Sequence, residues 1–209
     1  MYLVRSFYPG QSAYRVLQTS VSEHFYQHHG ARPEPRPDQF WCLTRRDGQA
    51  PGYACIGLTW GDSGTLFSEH YVDRSIHKDH KVQRPELVEI GQFSSFGFRG
   101  AGRFLLGYTL RSLALHRYKC VLLTATEQVR ECLATLDVDY DDLGEAFANR
   151  VRDKHVDWGT YYENRPRVIT VNLRCGLLRM TQMQWIPPLH GGHCFFNALP
   201  PQAAAADAC

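Results

Sequence analysis

The sequence predicts an α/β (α+β) fold: a single domain over residues 1–199, built on one mixed sheet with helices on both faces, and a flexible tail over 200–209. Three observations predict it. Strand-like apolar runs alternate with amphipathic helical segments along the chain, an order that suits a mixed sheet covered on two sides. Asp47-Gly48 between two apolar runs is a hairpin signal, so part of the sheet is antiparallel. Finally, the apolar run Leu87-Val88-Glu89-Ile90 breaks over Ser94-Ser95-Phe96-Gly97 and reopens as a helix whose first turn is Gly100-Ala101-Gly102.

Residues 2–8 read as a first strand that ends at Pro9-Gly10. From Gln11 to His29, Tyr14, Val16, Leu17, Val21, Phe25 and Tyr26 recur at helical spacing. Three prolines, Pro33, Pro35 and Pro37, then make a stiff extended loop. The hairpin follows, Phe40 to Thr44 and Gly52 to Trp60, and then a polar, basic stretch, Arg74 to Arg84, expected to be exposed and mobile. After the strand at Leu87–Ile90, Phe104, Leu105, Tyr108, Leu110 and Leu113 hold an apolar stripe on a helix. Cys120 to Thr126 reads as a buried strand, Glu127 to Leu136 as a short helix, and Asp142 to Arg152 as a further amphipathic helix. Trp158 to Tyr162 is a compact aromatic turn, and Arg167–Leu173 and Leu177–Trp185 are late strands.

A chain of 209 residues suffices for one sizeable core. Lys and Arg (23) barely outnumber Asp and Glu (21), so no global field invites nucleic acid. No apolar run approaches the ~20 residues that cross a bilayer. The start, Met1-Tyr2-Leu3-Val4-Arg5-Ser6, lacks the features of a signal peptide. The expectation is a cytoplasmic protein without a transmembrane segment. The seven cysteines are scattered and never form a C-x-x-C pair, which favours free thiols over a disulfide framework. The histidine groups, such as His77-x-x-His80 and His190-x-x-His193-Cys194, do not make a four-ligand set at zinc spacing, so no metal is expected.

Two features carry chemistry. A strand that feeds a glycine-rich helix start leaves backbone N–H groups uncovered for phosphate, and Arg99, Arg103 and Arg111 add positive charge there. Glu89 is a carboxylate among apolar strand residues. Burial would raise its pKa and suit it to act as a general base toward an amine; the alternative is a Glu on the solvent face or paired with Arg. There is no Gly-x-Ser-x-Gly elbow and no P-loop lysine.

Five segments, in order, resemble the signature segments of the thermostable hemolysin family: Leu66-Phe67-Ser68-Glu69-His70-Tyr71-Val72-Asp73, Val88 to Ser95, Gly100 to Arg103, Thr124-Ala125-Thr126, and Trp158-Gly159-Thr160-Tyr161-Tyr162 with Pro166-x-Val168. That family is similar to the GNAT acyltransferases, on a branch close to the acyl-homoserine-lactone synthases, which also carry a Glu on the fourth strand. The resemblance implies a GNAT-like, splayed sheet with an acyl thioester between the fourth and fifth strands. It implies an N-acyltransferase with Glu89 as catalytic base, acting in secondary-metabolite or signal biosynthesis. No cofactor is held permanently; acyl-CoA or an acyl-phosphopantetheine on an acyl carrier protein is the co-substrate, and a small-molecule amine or amino acid is the acceptor. Gln92, Phe93, Ser94 and Ser95 would meet the pantetheine arm, and Arg99, Gly100, Ala101, Gly102 and Arg103 its phosphate. Glu69, Tyr71, Asp73, Thr124, Thr126, Trp158 and Tyr161 would hold the acceptor. For Glu69 and Asp73 the alternative is an ion pair with Arg74 or Arg84, and for Trp158 and Tyr161 a place in the core. Phe104 departs from the superfamily pattern, where a small residue ends the phosphate loop, and this leaves open whether free coenzyme A or a carrier protein brings the acyl group. Two other readings stand beside this one: a non-catalytic, membrane-active hemolysin or binding protein on the same fold, and a transferase that uses aminoacyl-tRNA, against which the near-neutral charge argues.

Overall fold

The computed structural model describes residues 2–151 and 156–173. Along the chain come β1 (Tyr2–Phe7), α1 (Ser12–His29), β2 (Gln39–Arg45), β3 (Ala54–Trp60), α2 (Ile76–Asp79), β4 (Leu87–Ser95), α3 (Ala101–Leu115), β5 (Cys120–Ala125), α4 (Glu127–Thr135), β6 (Asp141–Glu145) and β7 (Arg167–Asn172). The strands form one sheet in the order β1-β2-β3-β4-β5-β7-β6. β4 and β5 run parallel, joined by α3, and the other neighbours are antiparallel.

Strand alternation divides the core. On one face, Trp41, Leu43, Ile56, Leu58, Val88, Ile90, Val121 and Leu123 meet Leu105, Leu106, Leu110 and Leu113 of α3 in one continuous cluster. The opposite face carries two separate clusters. Tyr14, Leu17 and Val21 of α1 cover Phe40, Cys42 and Cys55, while Leu66, Tyr71, Ile76 and Val82 cover Leu87, Cys120, Leu122 and Val168. The seam between these two clusters crosses the middle of the sheet.

α1 also fixes the proline loop, since the Tyr14 hydroxyl donates to Pro37 O (2.6 Å) and Gln18 Nε2 to Pro35 O (2.8 Å). At its other end the Thr160 amide donates to His29 O (2.8 Å), which docks the aromatic turn on the helix terminus. Gly159 makes this docking possible, with φ +50° and a position where a Cβ would stand 1.9 Å from His29 O.

Two expected elements differ. The segment expected as a helix over Asp142–Arg152 opens instead with β6, paired with β7. Its helical periodicity lost to an unpaired sheet edge, whose N–H and C=O groups need partners. Gly144, at φ +127° beside a register shift, lets the strand bend, and the charges Asp141, Asp142 and Glu145 keep the new edge polar. The stretch Arg74–Arg84, expected to be exposed and mobile, contains α2 and buries Ile76 and Val82. His80 adds a contact from its Nε2 to Thr170 Oγ1 (3.1 Å). The expected strand over Leu177–Trp185 and the tail over 200–209 lie outside the described residues.

Candidate active site

β4 and β5 are zipped for four rungs only, Leu87–Ile90 against Cys120–Leu123. Beyond Ile90, β4 stays with β3, while β5 pairs with β7 through Thr124 and Ala125. The two strands therefore part, and backbone groups of Gly91–Ser95 on that side have no β5 partner. A bulge widens the opening. The register on β3 slips between Cys55, which faces Ser94, and Gly57, which faces Gly91, leaving one extra residue on β4. Gln92 takes up the slack at φ +51°.

A cavity of about 350 Å³ occupies the seam between the two apolar clusters, a size suited to a small organic ligand. Its floor is the sheet: Thr59, Glu89, Gly91, Gln92 and Thr124. Val21 and Phe25 of α1, the proline loop, and Phe67, His70, Trp158 and Tyr161 wall it. The aromatic wall is self-supporting, with ring centroids 5.7 Å apart for Phe67–Trp158, 5.6 Å for Trp158–Tyr161 and 5.8 Å for Phe25–Tyr161. Two side-chain atoms belonging to lining residues, Gln92 Oε1 and Trp158 Nε1, are buried without a hydrogen-bond partner among the described residues. Such atoms cost free energy unless a ligand or water completes them.

Glu89 sits in this floor and is buried (5% exposed). Its Oε2 accepts the Phe67 amide (2.8 Å), and its Oε1 accepts the Ser68 amide (2.8 Å) and the Ser68 hydroxyl. Burial pushes the Glu89 carboxyl up, and the Ser68 and Phe67 donors pull in the other direction. The result is a carboxylate held rigidly at the point where the strands begin to part, in a setting where burial strengthens its hold on a proton.

The residues expected to hold an acceptor are distributed unevenly. Thr124, Trp158 and Tyr161 line the cavity with Glu89. Glu69 does not: its carboxylate accepts the Leu66 amide (2.9 Å) and pairs with Arg84 at 2.5 Å, the ion-pair alternative. Asp73 is a solvent-facing partner of Arg150, a residue the sequence reading had not considered for it. Tyr71 is buried, with its hydroxyl 2.7 Å from that of Tyr162, and Thr126 stands at the N-terminus of α4. Ser68 escaped the sequence reading; its only signal is its place one residue before a Glu in a polar-aromatic run. Thr59 was missed as well, although its register places it beside Glu89 across β3 and β4.

Of the residues expected to meet a pantetheine carrier, Gln92 reaches the cavity. Phe93 turns to the other face, against Gly102, where an added Cβ would lie 2.8 Å from the ring. Ser94 is buried and Ser95 exposed at the end of β4. Gly100, at φ +97°, precedes α3, Ala101 is buried in the core, and Arg99 and Arg103 stand exposed around this helix start. Neither arginine forms an ion pair among the described residues. The amides of Gly102 and Arg103 belong to the first turn and have no helix carbonyl to donate to.

The thermostable hemolysin family model matches residues 7–177. Among solved structures, a CoA-dependent acyl-homoserine lactone synthase, BjaI, with MTA superposes with a TM-score of 0.62 at 10% identity, over 90% of this chain and 92% of that one. BjaI with SAM and isopentyl-CoA gives 0.57 at 11% identity, over 90% and 92%. FeeM, an N-acyl amino acid synthase from uncultured soil microbes, gives 0.51 at 14% identity, over 83% and 91%. At these identities the likeness is one of fold. No curated protein matches the sequence.

Proposed function

The chain belongs to the thermostable hemolysin family, and from that premise we propose that it is an N-acyltransferase. In this reading an acyl group passes from a pantetheine thioester, carried on coenzyme A or an acyl carrier protein, to the amine of a small molecule or amino acid. One observation carries the reading: a buried carboxylate, Glu89, lines a cavity at the fork where β4 leaves β5 and bulges. A fork of this kind offers unpaired strand backbone to the amide-rich pantetheine arm and a base to the incoming amine. Support comes from the structures of similar fold, one of which is described with isopentyl-CoA and another as an N-acyl amino acid synthase.

The steps follow from these positions. The thioester threads the fork, with its phosphate at the first turn of α3 and its acyl carbonyl near the bulge at Gln92. The acceptor amine enters from the cavity, enclosed by Phe25, Phe67, Trp158 and Tyr161. Glu89 takes one proton from its ammonium, and the free amine attacks the carbonyl carbon. Strand N–H groups hold the oxyanion that forms. The intermediate collapses to the amide, and its second N–H proton goes to the departing thiolate. The proton on Glu89 returns to solvent after product release.

The test is thiol release when the protein is incubated with acyl-CoA and acyl carrier thioesters and a panel of amines. Release that requires an amine, with the matching amide found by mass spectrometry, is the expected result. Leakage of liposomes by the protein with no thioester present, and no thiol release from any pair, would overturn it in favour of a directly membrane-active protein. Among the described residues no helix is long and apolar enough to cross a membrane, and the apolar stripe of α3 is spent on the core. Replacing Arg99 and Arg103 together by Ala is expected to raise KM for the phosphate-bearing donor roughly tenfold in dilute buffer, an effect that shrinks as salt screens the charges. Salt titration of KM in both proteins checks it.

A further inference from the structure

Glu89 is not alone beneath the cavity. The Ser68 hydroxyl lies 2.5 Å from Glu89 Oε1 and 2.8 Å from Thr124 Oγ1, so three side chains from three separate elements form one chain of hydrogen bonds. Ser68 is wholly buried on its 3-10 turn, whereas Thr124 ends the chain in the cavity lining. Resting on the acyltransferase reading, we propose that Thr124 and Ser68 are a two-hydroxyl relay that carries the acceptor's proton from the cavity to Glu89.

The chemistry of the groups fixes the direction. An ionised carboxylate only accepts, so Ser68 spends its single proton on Glu89. Thr124 must then donate to Ser68, and this leaves its oxygen as an acceptor toward the cavity. An ammonium there finds a lone pair at Thr124. Transfer moves one proton at each link: N–H breaks as Thr124 gains a proton, Thr124 passes its own to Ser68, and Ser68 passes its own to Glu89. Each hydroxyl again carries one proton with its hydrogen bond reversed in direction, Glu89 ends protonated, and the nitrogen gains its lone pair. The relay suits a base whose oxygens are already occupied by the amides of Phe67 and Ser68 and the Ser68 hydroxyl. Thr124 is held in place by pairing with Val168 of β7.

The experiment measures thiol release from octanoyl-CoA with a panel of amino acids and small amines, in the wild type and in Thr124→Val, Thr124→Ser, Ser68→Ala and the Thr124→Val/Ser68→Ala double variant. Thr124→Val keeps the volume and removes the hydroxyl; it is expected to lower kcat by roughly 10- to 10²-fold with KM for the thioester unchanged. Thr124→Ser should restore most of the rate. The double variant should be no slower than the slower single one, since either gap severs the same chain. In mixtures of light and heavy water the wild-type rate should depend on deuterium content as a curve, showing several protons in flight. Full activity in Thr124→Val, a linear dependence in the wild type, or additive losses in the double variant would overturn the relay while leaving the acyltransferase standing. A wild type that releases no thiol from octanoyl-CoA or from any other acyl-CoA or acyl carrier thioester, with any amine, overturns both.

Discussion

Glu89→Gln is expected to lower turnover by at least ~10²-fold, the usual loss when a general base is removed. The substitution preserves volume but replaces one acceptor oxygen by an N–H donor where Phe67 and Ser68 amides already point inward. A stability loss of about 1–3 kcal/mol should accompany it, which a domain of ordinary stability survives. Thermal melting in parallel with the assay separates the two effects, and continued protection of the variant from heat by the thioester shows that the donor still binds. Turnover within a few-fold of wild type would remove Glu89 from the chemistry. The pH profile gives a second readout. Burial holds the Glu89 carboxyl above its usual range, and only the ionised form accepts a proton, so kcat/KM should rise with pH through that raised pKa. Its acid limb should lie above the ~4.3 of a free glutamate. Stability has the opposite sense. With the folded pKa above the unfolded one, the native state holds this proton more tightly. Its contribution is then fully present below the unfolded pKa and is lost as pH rises through the folded pKa. Both signatures should vanish in Glu89→Gln.

The second large effect is expected at Gly91. It lines the cavity on the same face of β4 as Glu89, immediately past the last rung with β5. A Cβ built there meets nothing within 4 Å, and the backbone is not in the left-handed region. Gly91→Leu should therefore fold normally, with a melting temperature unchanged or higher, because a β-strand glycine is replaced by a residue that orders with less entropy loss. The new side chain would stand in the fork, where acyl carbonyl and amine must meet. Misplacement of reacting groups by about 1 Å is enough to cost ~10²-fold, and a loss of at least that size in kcat/KM is expected. Circular dichroism and the thiol-release assay check the two halves; a variant that folds and turns over normally would show that the fork is not where the thioester lies. Gly57, its neighbour across the pair, behaves differently: a Cβ there would meet Gln92 Oε1 at 2.2 Å and Pro37 at 3.0 Å, so it serves close packing rather than open space.

Much of the fold was legible because its signals are local. Periods near 3.6 and 2 marked α1, α3 and the β2–β3 hairpin, and a strand running into glycines marked the passage from β4 to α3. The segment at Asp142 misled for the same reason: its helical period was real, but the edge of β7 lay more than twenty residues away in sequence and outbid it. Legibility of the candidate site followed the same division. Glu89, Gln92, Thr124, Trp158 and Tyr161 lie in segments whose character can be read locally, and they meet in the cavity. Glu69 and Asp73 were plausible by charge, yet charge does not name a partner; Arg84 and Arg150 reached them through the fold.

By itself the sequence determined which segments are strands and helices along most of the chain, and it set a carboxylate on the central strand ahead of a glycine-rich helix start. Only the tertiary structure decided that β4 leaves β5 after four rungs, that Gln92 bulges, and that Ser68 and Thr124 join the carboxylate. The physical reason is range. Periodicity and turn chemistry act over a few neighbouring residues, whereas a fork, a seam between two apolar clusters and a hydrogen-bond chain across three elements exist only once distant segments have packed.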